Sequence, residues 1–422
     1  MIHILVVGLP LAIGLGLALL AARRGWAPRL AVSLCVGAAL RIAILMIAVR
    51  DHTWQPQDLG VDFLDAANSV LAGEDPVNHL RREGGWHFLP FMAYLLAGER
   101  QLGLWLGLGW GTVARLAPVI ADIALIPLTG RLAAGDDARR RALCAFQYAC
   151  MPVAVMVSSI HGQFAPITLL LGVAALLAAR RGRPHLAGLL IGLSVTSTSW
   201  SVLLVPGIML LVTGLRNRLT VLGWIAAVPG AFLLSSWLVL DTPLRRLPAT
   251  AKAVMSTRPV VGDWGWTAIA THGKVSVSPT LGHIGTVVLV LALLAAGWWW
   301  RRADPLTLTL VLLLVFVVVT YRFGAQYLLW PLPFLIARPT RGTWAAITAG
   351  AVWAAIGYLY TTRLDEPTWW HTHTWWSLSS LAVIALLIWA LPWRRRRAGS
   401  DESAQREYWP TPRRTHLVRN SA

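Results

Sequence analysis

Apolar runs of near-bilayer length recur along almost the whole of this chain. They lie near 2–21, 30–49, 116–133, 143–159, 165–179, 186–199, 201–214, 219–240, 284–300, 306–321, 326–337, 343–361 and 377–393. A membrane-crossing helix needs about 20 predominantly apolar residues, so a dozen would use roughly 250. With 56% of its 422 residues hydrophobic, the chain supplies close to that number. Only 13% of the residues are charged, about half the share of a soluble domain. A soluble enzyme, a disulfide-built secreted module and a disordered tail protein are thereby excluded. The expected fold is all-α: a polytopic transmembrane bundle of about 11–13 spans, forming one domain over 1–397. The polar, basic segment 398–422 reads as a disordered cytoplasmic tail.

The formal charge is +18, from 37 Lys and Arg against 19 Asp and Glu. On a soluble protein such a balance points to nucleic acid, but here no basic–aromatic binding module is visible and a nucleic-acid partner is not expected. The excess falls in short clusters between apolar runs: Arg23, Arg24 and Arg29; Arg139 to Arg141; Arg180, Arg181 and Arg183; Arg216 and Arg218; Arg301 and Arg302; Arg338 and Arg341; Arg394 to Arg397. These clusters occupy alternate loops, as the positive-inside rule requires of one cytoplasmic face. Thirteen spans then put the N-terminus outside and the C-terminus inside. The first run lacks a basic n-region and a small-residue cleavage site, so it reads as a retained span. Cys35, Cys144 and Cys150 all fall in apolar runs, which suits neither a disulfide nor a metal site.

The opposite, outer face carries two long loops, 50–115 and 241–283, and a short Trp- and His-rich one, 362–376. Trp at span ends forms the usual interfacial belt, so most of the 23 tryptophans require no chemical explanation. In the first loop, Asp62 to Ala72 suits an amphipathic helix lying on the membrane surface, with Phe63, Ala66, Ala67, Val70 and Leu71 as its apolar stripe. Asp62 and Asp65 project from neighbouring positions on one side of it, and Gly73 and Pro76 end it. Two readings are open for this pair: solvated polar-face residues, or a carboxylate pair serving a substrate whose tail stays in the bilayer.

Three further features stand out. Asp122 lies mid-span, where an unpaired charge costs at least about 2.5 kcal/mol, so it must face the bundle interior; it is either a structural hydrogen-bonding residue or part of a site. His161-Gly162-Gln163-Phe164 lies where one span emerges and the next begins, with Gly162 permitting a tight turn. Arg322, in a hairpin tip on the face that should be poor in positive charge, breaks the topological bias, as do Arg245, Arg246, Lys252 and Arg258 in the second long loop. A guanidinium can grip a phosphate through two hydrogen bonds, and one or two of these cations are expected at an anionic lipid head.

The first outer loop reads G-x-D-F-x7-L-A-G-x-D-P. Together with Pro118 and Asp122, His161-Gly162-Gln163, and Gln326-Tyr327-Leu328-Leu329-Trp330-Pro331, it resembles the GT-C glycosyltransferases that use polyprenyl-phosphate sugars, most closely the bacterial mannosyltransferases of glycosyltransferase family 87. The landmarks occur in the family's order over about residues 60–333. Departures are Val77 where the family usually has Tyr, Ala165 near a common acidic position, Arg115-Leu116-Ala117 in place of a Lys-x-Pro start, and no Lys within Ser197 to Trp200.

The resemblance implies an inverting transfer of a hexose, with mannose the expected sugar, from a polyprenyl-monophosphate donor to a lipid or glycan acceptor on the outer face of the cell membrane. It implies no metal and no cofactor. Asp62 would be the general base, Asp65 would orient the acceptor, and His161, Gln163 and Asp122 would line the sugar site. Arg322, with Arg245, Arg246, Lys252 and Arg258 as further candidates, would meet the lipid phosphate. The competing reading is a transporter or flippase of lipid-linked sugars, which ought to show an inverted repeat; none is visible. A non-catalytic scaffold or a glycan polymerase is a third.

Overall fold

The computed structural model describes residues 2–51, 54, 56, 58–80, 86–133, 137–255 and 258–393. Arg394 to Arg397 and the segment 398–422 lie outside the described residues, so the cytoplasmic-tail expectation is not addressed by the fold. The chain is almost entirely helical. Its first helices are α1 (Ile2–Arg24), α2 (Leu30–Arg50), α3 (Phe63–Leu71), α4 (Pro76–His79), α5 (Pro90–Leu106), α6 (Trp110–Val113), α7 (Leu116–Leu132), α8 (Ala138–Ala149), α9 (Pro152–Val155) and α10 (Ala165–Arg180). There follow α11 (Pro184–Ser197), α12 (Val205–Leu211), α13 (Leu215–Leu238), α14 (Leu247–Met255), α15 (Gly265–Ala270), α16 (Pro279–Trp299), α17 (Pro305–Val319), α18 (Leu332–Ala337), α19 (Thr343–Ala355) and α20 (Glu366–Trp389). Among the described residues the one sheet pairs β1 (Val260–Val261) with β2 (Ser276–Val277), antiparallel, in the second long loop.

Among the described residues six helices are long and apolar enough to cross a membrane: α1, α2, the continuous stretch Trp110–Leu132, α13, α16 and α20. A bent pair, α8 with Pro152–His161, breaks by 52° and makes a seventh where it is counted as one span. The break is set by sequence, because Pro152 has no amide proton to continue the ladder of α8. Other apolar runs become shorter helices, among them α10, α11 and α17. At 1.5 Å per residue, each of these three is shorter than a hydrocarbon layer of about 30 Å. The faces of α13 and α16 are what only lipid would cover: Leu215 is 73% exposed, Leu294 65% and Val287 58%. No water-facing helix tolerates such a surface, and the chain is a multi-pass membrane protein.

Two core clusters hold the fold together. The larger runs through α1, α8, α9, α10, α17, α18 and α19. The smaller lies under the first long loop, where Phe63, Ala66 and Ala67 of α3 meet Met92, Ala93 and Leu96 of α5, with Trp86 and Phe164. The stripe expected on α3 thus exists, although Leu71 is exposed, but protein covers it: Phe63 stacks on Phe164 at 4.3 Å between ring centroids. Aromatic partners within the chain take the place expected of the membrane surface. The expected 362–376 loop is also helical from Glu366 onward, as the first turns of α20.

Candidate functional site

Among the described residues the backbone widens into π-helical turns at three places: Asp58–Asp62, Met156–His161 and Ile356–Tyr360. Such turns insert an extra residue, disturb the regular ladder and commonly occur at functional sites. Here all three deliver a side chain to one hydrogen-bonded chain. His161 Nε2 lies 3.0 Å from Asp58 Oδ2 and 3.1 Å from Oδ1, while His161 Nδ1 lies 2.7 Å from the hydroxyl of Tyr358. Gln163 Nε2 donates to the same Asp58 oxygen, and the Leu59 amide donates to Asp58 Oδ1 at 2.9 Å.

Burial opposes ionisation of Asp58, but His161, first by its charge and then by its hydrogen bond, together with the Leu59 amide and Gln163, outweighs it and holds the carboxyl below its ordinary value. Arg115 stands within electrostatic reach of Asp58. Its fully buried guanidinium ties the frame together by donating to the carbonyls of Ile160 (2.9 Å), Gly111 (2.5 Å) and Trp54 (3.2 Å). Gly162, with φ of +71°, makes the turn between His161 and Gln163. A Cβ there would sit 2.9 Å from Arg115 Cγ and 3.2 Å from Leu59 Cδ1, so glycine is needed for both conformation and space. Trp110 Nε1 donates to the Leu59 carbonyl at 2.7 Å, closing the Asp58 turn from behind.

Asp62, expected as the base, lies at the end of the same turn. Burial first, then the neighbouring charges of Asp58 and Asp65, push its carboxyl above the ordinary value. Asp65 is half-buried in the first turn of α3. Expected sugar-site residues His161 and Gln163 are brought together, but the acid they meet is Asp58, four residues before Asp62.

Asp122, the other expected sugar-site residue, takes no part in this hydrogen-bonded chain. It is fully buried, with Oδ2 bonded to Arg41 Nε at 2.7 Å and to Ser158 Oγ at 2.8 Å, and Oδ1 to the Tyr148 hydroxyl at 2.6 Å. Arg41 Nη1 also donates to the carbonyls of Gly37 (3.1 Å) and Ala149 (2.9 Å). This is a desolvated ion pair whose oxygens are occupied by the bundle. Its link to the site is indirect: Ser158 belongs to the π-turn that ends at His161.

Arg322 sits half-buried between α17 and the 3₁₀ turn Ala325–Leu329. Its carbonyl accepts from the Thr320 hydroxyl at 2.7 Å, and the next residue, Phe323, stacks on Trp264 at 3.8 Å. The 325–329 turn packs against α9 and α10, the helices flanking the His161 turn. Arg245, Arg246, Lys252 and Arg258 are exposed on the second long loop. The two long loops are docked to each other by a separate polar cluster. Asp75 caps α4 by accepting from the Val77 amide at 2.9 Å and also accepts from Asn78 Nδ2 and the Thr242 hydroxyl. Its own amide donates to Asp241, which in turn lies 2.6 Å from His79 Nε2. Gly73, with φ of +79°, turns the chain into this cluster.

Asp58, Tyr358 and Arg41 were not singled out by sequence reasoning, and Arg115 only as a departure from the family's pattern. Arg41 alone carried a readable signal, a single cation within the second apolar run, complementary to Asp122 and equally intolerant of lipid. No family model matches the chain, and no curated protein matches it.

Proposed function

We propose that this protein is an inverting membrane glycosyltransferase of the GT-C type, which moves a hexose, mannose by the sequence resemblance, from a polyprenyl monophosphate to a lipid or glycan acceptor. The observation that carries this reading is the partly buried Asp58 carboxylate, held ionised by His161 and Gln163 where three π-turns converge beside a hydrophobic bundle. An ionised carboxylate braced in this way can accept a proton without moving. In the proposed step, Asp58 takes the proton of the acceptor hydroxyl as the oxygen attacks the anomeric carbon. A C–O bond forms on one face of the sugar. The C–O bond to the lipid phosphate breaks on the other, its electron pair leaving with the phosphate. Arg322 is the proposed cation for that departing charge, with Arg245, Arg246, Lys252 and Arg258 as exposed cations that an anionic headgroup would first meet. Asp62 and Asp65, at the rim of the same turn, are proposed to orient the acceptor. The long loops face the exterior in this reading, and the chain requires no metal.

The test is transfer of radiolabelled hexose from a polyprenyl-phosphate donor in vesicles holding the purified protein. Asp58→Asn is expected to abolish transfer while leaving expression and membrane insertion intact, and Asp62→Asn to leave measurable turnover. Full activity of Asp58→Asn together with loss in Asp62→Asn would return the base to Asp62. Movement of the lipid-linked sugar across the vesicle wall without a new glycosidic bond would replace the transferase with a flippase.

A further inference from the structure

We infer that Tyr358 is a positioning residue of this site: its hydroxyl donates to His161 Nδ1 and fixes the imidazole in the tautomer that presents Nε2–H to Asp58. The inference follows from counting donors. Asp58 receives N–H groups from Leu59 and Gln163 and faces His161 Nε2. A carboxylate surrounded in this way is an acceptor only, so the proton between it and the imidazole belongs to Nε2. When the ring is neutral, Nδ1 is bare, and the partner it meets, at 2.7 Å, is the hydroxyl of Tyr358. The bond on one ring nitrogen thereby decides the protonation of the other.

Tyr358 is built to hold that position. It is buried at 9% exposure and lies on the π-turn 356–360, away from the register of α19. Thr362 Oγ1 donates to the Tyr358 carbonyl at 3.0 Å, and Thr361 Oγ1 to that of Gly357 at 2.8 Å, which ties down the end of the turn. Gly357 lets the Trp376 ring close over the turn, since a Cβ there would lie 2.7 Å from that ring. The Tyr358 and His161 rings meet edge to face, with centroids 5.5 Å apart. Without the hydroxyl, the tautomer with a proton on Nδ1 loses its penalty, and a bare Nε2 lone pair then faces the carboxylate. Asp58 would lose a donor and the geometry that it holds before an acceptor arrives.

The catalytic consequence rests on the transferase reading; the tautomer does not. Protein labelled with ¹⁵N-histidine is placed in lipid vesicles and examined by solid-state NMR at neutral pH, with His161→Gln identifying the His161 signals by their loss. The expected wild-type spectrum has a protonated Nε2 and a bare Nδ1 at His161. In Tyr358→Phe, which keeps the ring and its packing, the Nδ1-protonated form should take a measurable share. A wild-type His161 protonated on Nδ1, alone or together with Nε2, or an unchanged tautomer in Tyr358→Phe, would overturn the inference, and the wild-type spectrum decides against it even if the variant fails to fold. In the transfer assay Tyr358→Phe should lower kcat by at least about 10-fold with the donor KM unchanged, because a wrong tautomer impairs the chemical step; an unchanged kcat would remove the positioning role. If the wild type shows the stated tautomer but transfers no sugar, the transferase reading fails and the placement of His161 stands.

Discussion

Asp58 and Asp62 are four residues apart on one turn, and their surroundings drive them in opposite directions. Asp58 is held below the ordinary carboxylate value and Asp62 above it. A base is active only when ionised, so the acid limb of kcat/KM, which reports the free enzyme, discriminates between them. With Asp58 as base, the limb falls below the ordinary carboxylate value; with Asp62 it falls above. A profile measured from about pH 3 to about pH 7 checks this. The same shift has a stability sign. The folded value of Asp58 is depressed, so its contribution is present above the unfolded value and lost as pH falls through the folded one. Arg322→Ala is expected to raise the donor KM, and an unchanged donor dependence would remove Arg322 from the site. His161 and Gln163 were legible in the sequence because a glycine between two polar residues at a span end marks a turn. Asp58 was not, because amphipathic periodicity begins only at α3, and the turn before it follows no regular repeat.

At the scale of elements, position depends on how helices are interrupted. The π-turn Met156–His161 closes on Gly162, whose conformation and space suit no other residue. Gly162→Ala should therefore separate His161 from Asp58 and cut transfer at least about 10-fold with the protein still folded. Activity within about two-fold of wild type would show that the turn can give. Helix α5 offers a second measurable effect. Glu99 is buried and accepts from the Ala117 amide in the first turn of α7 at 2.9 Å, yet its other oxygen has no partner. Burial pushes its carboxyl up to about 7, against the Ala117 bond that lowers it. Because the folded value is raised, the folded state binds the extra proton. Stability falls as pH climbs from the unfolded value of 4.5 to about 7 and levels off above it. The loss is of the order of 3 kcal/mol. Glu99→Gln keeps the acceptor for Ala117 and should flatten this loss in thermal melts of the detergent-solubilised protein. Hydropathy located most helices, but it averages over prolines and π-turns, so the bend after α8 and the shortness of α10, α11 and α17 were hidden from it.

For the molecule as a whole, its solvent and most of its helices were legible from hydropathy, since lipid-facing stretches such as α13 and α16 need no partner within the chain to be recognised. Contacts between distant segments were not readable: the docking of the long loops through Asp75, Asp241 and His79 joins positions 162 to 166 residues apart. The charge clusters still supply a testable orientation. Single cysteines replacing Arg218 and Ser276 should react with a membrane-impermeant reagent from opposite sides of sealed vesicles; labelling from the same side would refute the assigned sidedness. The Arg41–Asp122 pair has a consequence for biogenesis. Its partners are separated by 81 residues, so during synthesis the ribosome releases α2 well before α7 exists. For that interval α2 carries a guanidinium whose cost at the bilayer centre is about 2.5–3.5 kcal/mol. Only the late arrival of α7 neutralises it, so the second helix carries that penalty until the seventh has left the translocon.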